Sequence, residues 1–272
     1  DVGTYNYKVT CVVSDATENG AASVEASGTM TLRIIAKEGL TVSGNDYTGK
    51  YDGASHGKAA TAKINGEPVV GDDVKIEYKV GDSEWTTDVP TVKNVSDSTT
   101  VQVRATKTGY TPAETTYNLT VTKRDVTLTS ETASKPYDGN PLTRPVVAVT
   151  GDGFVDGEVT DIKATGSVTN VSDSPVTNTI VYTTTDKFVA GNYNITKVEG
   201  KLSITPLAVT VTAKDCTKYV GEKDPAFEAT VTGTINNDTV SYTISREAGE
   251  TAGTYPITPA GAEAQGNYTV TY

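Results

Sequence analysis

The sequence predicts an all-β protein made of tandem small β-sandwich modules arranged as an elongated rod, and three observations predict it. First, a short phrase recurs. Lys50-Tyr51-Asp52-Gly53 returns as Lys135-Pro136-Tyr137-Asp138-Gly139 and, in weaker form, as Lys218-Tyr219-Val220-Gly221. Two further phrases keep step with it. Asn94-Val95-Ser96-Asp97-Ser98 matches Asn170-Val171-Ser172-Asp173-Ser174, and Gly191-Asn192-Tyr193-Asn194 matches Gly266-Asn267-Tyr268-Thr269. The intervals run from 75 to 86 residues, a period that gives one small domain per repeat rather than the shorter units of a solenoid. Second, β-branched and polar residues alternate, as in Val74, Ile76, Tyr78 and Val80, the period of a half-buried strand. Third, Asp138-Gly139, Asp152-Gly153, Asp156-Gly157 and Gly71-Asp72 supply the positive-φ positions of tight turns between strands.

The chain divides as follows. Residues 1–37 hold two strand-like runs, Tyr5–Val13 and Gly28–Ile35, too short for a unit and read as the last strands of a preceding one. Val2-Gly3-Thr4-Tyr5 matches Ala252-Gly253-Thr254-Tyr255, and Gly28-Thr29-Met30-Thr31-Leu32-Arg33-Ile34 matches Gly200-Lys201-Leu202-Ser203-Ile204-Thr205. Residues 38–124 form the first complete repeat and 125–205 the second. Residues 206–272 form a third, opening with Leu207, Val209, Val211 and Ala213 on one face. In the second repeat the Gly-Asn-Tyr phrase is followed by a strand ending at Ile204, and the third is expected to lack that closing strand. Lys123-Arg124-Asp125 and Thr205-Pro206 are linkers too short to act as flexible tethers.

Bulk properties narrow the function. A unit of about 80 residues buries roughly 60–65% of its unfolded surface, enough to fold alone with modest stability. A net charge of −11 argues against nucleic acid and against anionic membrane surfaces as partners. No run of 18 apolar residues is present. Cys11 and Cys216 fall in different repeats, which is no disulfide framework, and whether they pair is not legible here.

The Lys-(Pro)-Tyr-Asp-Gly openings, Gly153-Phe154-Val155-Asp156-Gly157-Glu158 and Gly191-Asn192-Tyr193-Asn194 resemble the YDG and MBG repeats of bacterial surface proteins. The third repeat is similar to the MBG type through Tyr219-Val220-Gly221-Glu222-Lys223-Asp224-Pro225, Thr251-Ala252-Gly253-Thr254-Tyr255 and Gly266-Asn267-Tyr268. The first, around Ser83-Glu84-Trp85-Thr86-Thr87, resembles a generic bacterial Ig-like module. The resemblance implies Ig-like β-sandwiches in large secreted or wall-attached proteins, located at the cell surface, and no catalytic residues.

Candidate sites are few. His56 is the only histidine and cannot build a zinc site or a triad alone; a surface turn is its reading. Acidic turns occur at Gly71-Asp72-Asp73, around Asp152, Asp156 and Asp161, and at Asn236-Asn237-Asp238. Oxygen-rich turns suit calcium, so Asp152, Asp156 and Asp161 are the calcium candidates, although such residues are also what turns require. Tyr51, Tyr137 and Tyr219 occupy equivalent places, as do Tyr117, Tyr193 and Tyr268. Packing residues with a hydroxyl partner at the rim are preferred to sugar-stacking platforms. Trp85, the sole tryptophan, is a ligand-contact candidate weighed against packing. Lys135 and Lys218 are nominal candidates for internal isopeptide bonds.

Two functions compete. One is a stalk or fibre, with neighbouring repeats or copies of itself as partners; in one variant Gly28–Ile35 of one molecule fills the third repeat of the next, and in the other both ends are boundaries within a longer protein. The other is an adhesive module that recognises a glycan or host protein, for which Trp85 is the place to look. No enzymatic activity and no cofactor are expected.

Overall fold

Alternating residues become paired strands in each repeat. The computed structural model describes the backbone of residues 3–14, 23–69 and 73–272, with side chains from Leu32 onward. The described residues form β-strands and three short 3-10 turns, with no α-helix among them. The protein is all-β, and its repeats are β-sandwiches. Contacts divide it into two compact units, Asp1–Lys123 and Arg124–Tyr272.

The first unit starts with an antiparallel hairpin, Gly3–Ser14 against Ser23–Ile34, where the sequence places its first two strands. Leu32, Ile34 and Ile35 are exposed. Two sheets follow. One orders Leu40–Ser43, Thr61–Ile64 and Glu67–Pro68; the other orders Tyr47–Lys50, Ala113–Thr122, Thr99–Thr106 and Lys75–Val80. Leu40 and Ala62 of the first sheet meet Ala105 of the second, with Ile64, Ile76 and Ala113 packed around them. Along the second sheet Val101, Val103 and Leu119 are fully buried. Each such side chain contributes about 1.5–3 kcal/mol through burial.

The second unit carries the same plan twice. Arg124–Ser130 lies between Val147–Gly151, antiparallel, and Tyr193–Val198, parallel. Leu207–Ala213 lies between Ala229–Thr232, antiparallel, and Tyr268–Thr271, parallel. One core joins the two copies: Tyr137, Leu142, Val168, Leu202 and Ile204 pack with Val209, Val211, Tyr268 and Val270. Arg124 and Asp125, read above as linker, are strand residues that pair with Tyr193 and Asn194. Only Lys123 therefore separates Ala113–Thr122 from Arg124–Ser130, and only Pro206 separates Lys201–Thr205 from Leu207–Ala213.

Candidate functional site

The recurring phrase is a device for holding a strand. In Lys50-Tyr51-Asp52-Gly53 the Asp52 carboxylate accepts the Ala54 amide at 2.9 Å. In the second repeat Asp138 accepts the Asn140 amide at the same distance. The intervening glycines have φ of 81° at Gly53 and 78° at Gly139, left-handed values that a side chain would strain. The aspartate and glycine thus turn the chain as it leaves a short strand. That strand pairs in parallel with its own repeat's closing strand: Tyr47–Lys50 with Leu119–Thr122, and Ala133–Pro136 with Leu202–Thr205. In both, the tyrosine amide donates to the closing threonine carbonyl at 2.9 Å, Tyr51 to Thr122 and Tyr137 to Thr205.

The Asn-Val-Ser-Asp-Ser phrase grips the same strand further along. Each copy forms a 3-10 turn. Its last serine accepts a closing-strand amide: Val121 to Ser98 Oγ at 2.9 Å, Ile204 to Ser174 Oγ at 2.7 Å. Pinned at both places, the strands bury Leu119 and Val121 in one repeat and Leu202 and Ile204 in the other.

The third repeat has the phrase without the strand. Among the described residues nothing pairs with Cys216–Tyr219. Tyr219 is 81% exposed where Tyr51 is 2% and Tyr137 9% exposed, which corrects the expectation that all three pack alike. The Tyr219 amide turns instead to the Glu222 carboxylate at 3.3 Å. A groove of about 1140 Å³ is lined by the 215–220 and 249–257 segments together with Val211, Ala213 and Phe227.

A charge network lines the groove. Lys218 Nζ lies 2.8 Å from both Asp224 and Glu250 carboxylates. Arg246 reaches Asp224 at 2.9 Å and Glu250 at 2.5 Å. Hydrogen bonds from Arg246 and then Lys218 hold Asp224 below the usual carboxylate range. Glu250 is lowered chiefly by Lys218, and Lys218 is raised chiefly by Asp224. Lys218 is thereby held as an ammonium, the opposite of the neutral amine an isopeptide bond needs. Sequence reasoning missed the network because Asp224 and Arg246 stand 22 residues apart and share no motif.

The other candidates sit in structural roles. His56 Nε2 meets Asp52 Oδ1 at 2.9 Å, and its ring stacks on Tyr47 at 4.7 Å; that hydrogen bond is the main cause of a lowered Asp52 pKa. Trp85 is half-buried under the Arg104 guanidinium, 4.3 Å from the ring centroid. Asp152 accepts the Asp125 amide at 2.9 Å, and Asp161, bulged at φ 52°, pairs with Lys163 at 2.8 Å. The structure does not gather Asp152, Asp156 and Asp161, and among the described residues no three His, Cys, Asp or Glu side chains are placed to hold a metal. Lys135 pairs with Asp138 at 2.7 Å. Cys216 is an exposed free thiol beside the groove, while the side chain of Cys11 and residues Gly71 and Asp72 lie outside the described residues. No described helix is long and apolar enough to cross a membrane.

Residues 209–272 match the family model of the MBG domain, YGX type. No curated protein matches the chain by sequence. Among solved structures, protocadherin gamma B7 extracellular cadherin domains 1–4 are similar at 9% identity and a TM-score of 0.33, over 92% of this chain and 74% of that one. The protocadherin gamma B4 extracellular domain follows at 12% identity and 0.30, over 90% and 46%. The N-terminal eight Ig domains of Down syndrome cell adhesion molecule match at 17% identity and 0.19, over 95% and 36%. At these scores the likenesses carry no argument.

Proposed function

We propose, with residues 209–272 matched as an MBG domain of the YGX type, that the chain is a structural segment of an extracellular bacterial surface protein, a stretch of stalk or fibre. Its modules supply reach, and its partners are further modules or copies of itself. In this reading Gly28–Ile35 of one molecule completes the third repeat of the next, head to tail, and the chain performs no reaction and needs no cofactor. One observation carries it: the same strand-holding device recurs at Tyr51–Thr122 and Tyr137–Thr205, so what is repeated is a means of closing each module.

Small-angle scattering of the whole chain tests the reading. A thin, extended particle is expected, and a compact globule would remove it. Light scattering tests the assembly: the mass should rise with concentration and fall to that of a monomer once residues 1–37 are deleted. The adhesive alternative has Trp85 as its observation, half-buried against the Arg104 guanidinium. A glycan-array signal lost in Trp85→Ala would favour it.

A further inference from the structure

Strands from the start and the end of each repeat lie side by side and run the same way. In the second repeat Arg124–Thr129 pairs in parallel with Tyr193–Val198, and Ala133–Pro136 with Leu202–Thr205. Both stretches keep one register, each residue facing the one 69 places on. The crook between them is stitched by side chains: the Gly200 amide donates to Ser130 Oγ at 3.0 Å, and the Lys201 amide to Thr132 Oγ1 at 3.1 Å. The Tyr137 amide, bonded to the Thr205 carbonyl, finishes the ladder. The first repeat is fastened likewise. Lys37 bridges Tyr110 in parallel, Asp46 accepts the Asn118 amide at 2.6 Å, and Tyr47–Lys50 pairs with Leu119–Thr122. In the third, Leu207–Thr210 pairs in parallel with Tyr268–Thr271.

We infer that these paired strands are a shear clamp, and that bearing tension is a further function of the chain. Pull that enters through the first strand and leaves through the last draws the two in opposite directions along their length. The evenly spaced bonds of a parallel ladder then share the load and fail together, whereas strands pulled apart from one end lose their bonds one by one. Sliding also drags Val126, Leu128, Leu202 and Ile204, all buried, past their neighbours. Lys123 alone separates Ala113–Thr122 from Arg124–Ser130, and Pro206 alone separates Lys201–Thr205 from Leu207–Ala213. Load therefore passes from one ladder to the next without a slack linker. The clamp deepens the structural reading above and rests on it only for the source of the load; its mechanical strength is measured separately.

The test holds the full chain in a force trap by two thiols, with Cys11→Ser and Cys216→Ser removing the native ones. Handles at Lys123→Cys and Pro206→Cys load the second repeat in shear. Handles at Pro141→Cys and Pro206→Cys peel the same ladder from its end. At one fixed force the folded lifetime in shear should exceed that in peeling by at least about tenfold, the factor supplied by two backbone hydrogen bonds broken together instead of in turn. Forced unfolding follows the unfolding rate and not the equilibrium stability, so a pair of variants separates the clamp from ordinary packing. Ile204→Ala lies in the ladder; Ile180→Ala, equally buried, lies outside it. Both should lower the urea midpoint, and Ile204→Ala should shorten the lifetime in shear several-fold more than Ile180→Ala does. Equal lifetimes in the two pulling geometries would overturn the clamp, as would shear lifetimes that simply track urea stability in the two variants. A strong clamp in a chain that scattering finds compact would keep the clamp and remove only the stalk, and an extended chain with equal lifetimes would do the reverse.

Discussion

Tyr268 donates its hydroxyl proton to the Asp238 carboxylate at 2.7 Å and accepts the Ile235 amide at 3.2 Å. Tyr193, in the equivalent place, does the same with Glu158 at 2.6 Å and Val155 at 3.0 Å. The loops are built alike, for Glu158 turns back to the Val155 carbonyl and Asp238 to that of Ile235. A buried phenol satisfied as donor and acceptor ties a long loop to the sheet beneath it. Tyr268→Phe leaves Asp238 and the Ile235 amide short of a partner. It should lower stability by about 1 kcal/mol, since the groups it leaves short are part-buried rather than fully buried. Urea unfolding followed by circular dichroism should show a lower midpoint at unchanged slope. A variant as stable as the parent would mean that the hydroxyl only decorates the loop.

Tyr117 holds the same place in the first repeat but donates to a carbonyl, that of Lys58, at 2.8 Å. Burial, with a smaller contribution from Tyr78, pushes its pKa up to about 12. A folded-state pKa above the unfolded value of 10.0 favours folding of the neutral form. That stability is complete below pH 10 and is lost as pH rises through about 12. Alkaline titration of the parent should therefore unfold the first unit over this window, with Trp85 fluorescence as the reporter. Tyr117→Phe should be less stable at neutral pH and flatter above pH 10. An equally steep alkaline loss in the variant would assign it to other groups.

Glu77 is the buried carboxylate whose ion pairs act on the acid side. Its carboxylate is buried, 2.8 Å from Arg104 and 2.6 Å from Lys75, and Arg104 in turn covers Trp85. The hydrogen bond from Arg104, then that from Lys75, lowers its pKa below the ordinary 4.5. A depressed carboxylate pKa contributes stability above the unfolded value, lost as pH falls below 4.5 towards the folded one. The thermal midpoint of the parent should drop through that range. Glu77→Gln should start lower at pH 7, leaving Arg104 half-paired, and change less on acidification. Parallel acid profiles would exclude Glu77 as the cause.

How much of this was legible in the sequence depends on how far each feature reaches along the chain. Period-two alternation at Val101 and Val103, or at Leu202 and Ile204, is local and marks a buried face directly. The Asp-Gly turns are local too, and Gly53 and Gly139 adopt the left-handed backbone their dipeptides imply. Arg124 and Asp125 were opaque because their partners, Tyr193 and Asn194, lie 69 residues on; charged residues after a lysine look like linker until that strand arrives. Tyr219 was misjudged because a motif fixes a position and not its cover: Tyr137 is covered by a core that draws Leu202 and Ile204 from its own repeat and Val211 and Tyr268 from the next. The same reach hides the Lys218–Asp224–Arg246–Glu250 network, each of whose members reads singly as surface charge.

The joint between the second and third repeats yields the last prediction. Asn267 accepts the Val171 amide at 2.8 Å and donates to Asn170 Oδ1 at 3.1 Å. Nearby, the rings of Tyr137 and Tyr268 meet edge to face at 5.7 Å, an arrangement worth about 0.5–1.5 kcal/mol beyond burial. With Leu202 and Val211 in one core, the two repeats should unfold as one body. Leu202→Ala should cost about 2–5 kcal/mol, with amide protection falling together in Tyr193–Val198 and Tyr268–Thr271. Asn267→Ala strands the Val171 amide at about 1–3 kcal/mol and should let the third repeat lose protection first. If Leu202→Ala instead released only residues 125–205, the two copies would be neighbours that merely touch, and the shared core would contribute little to holding them as one.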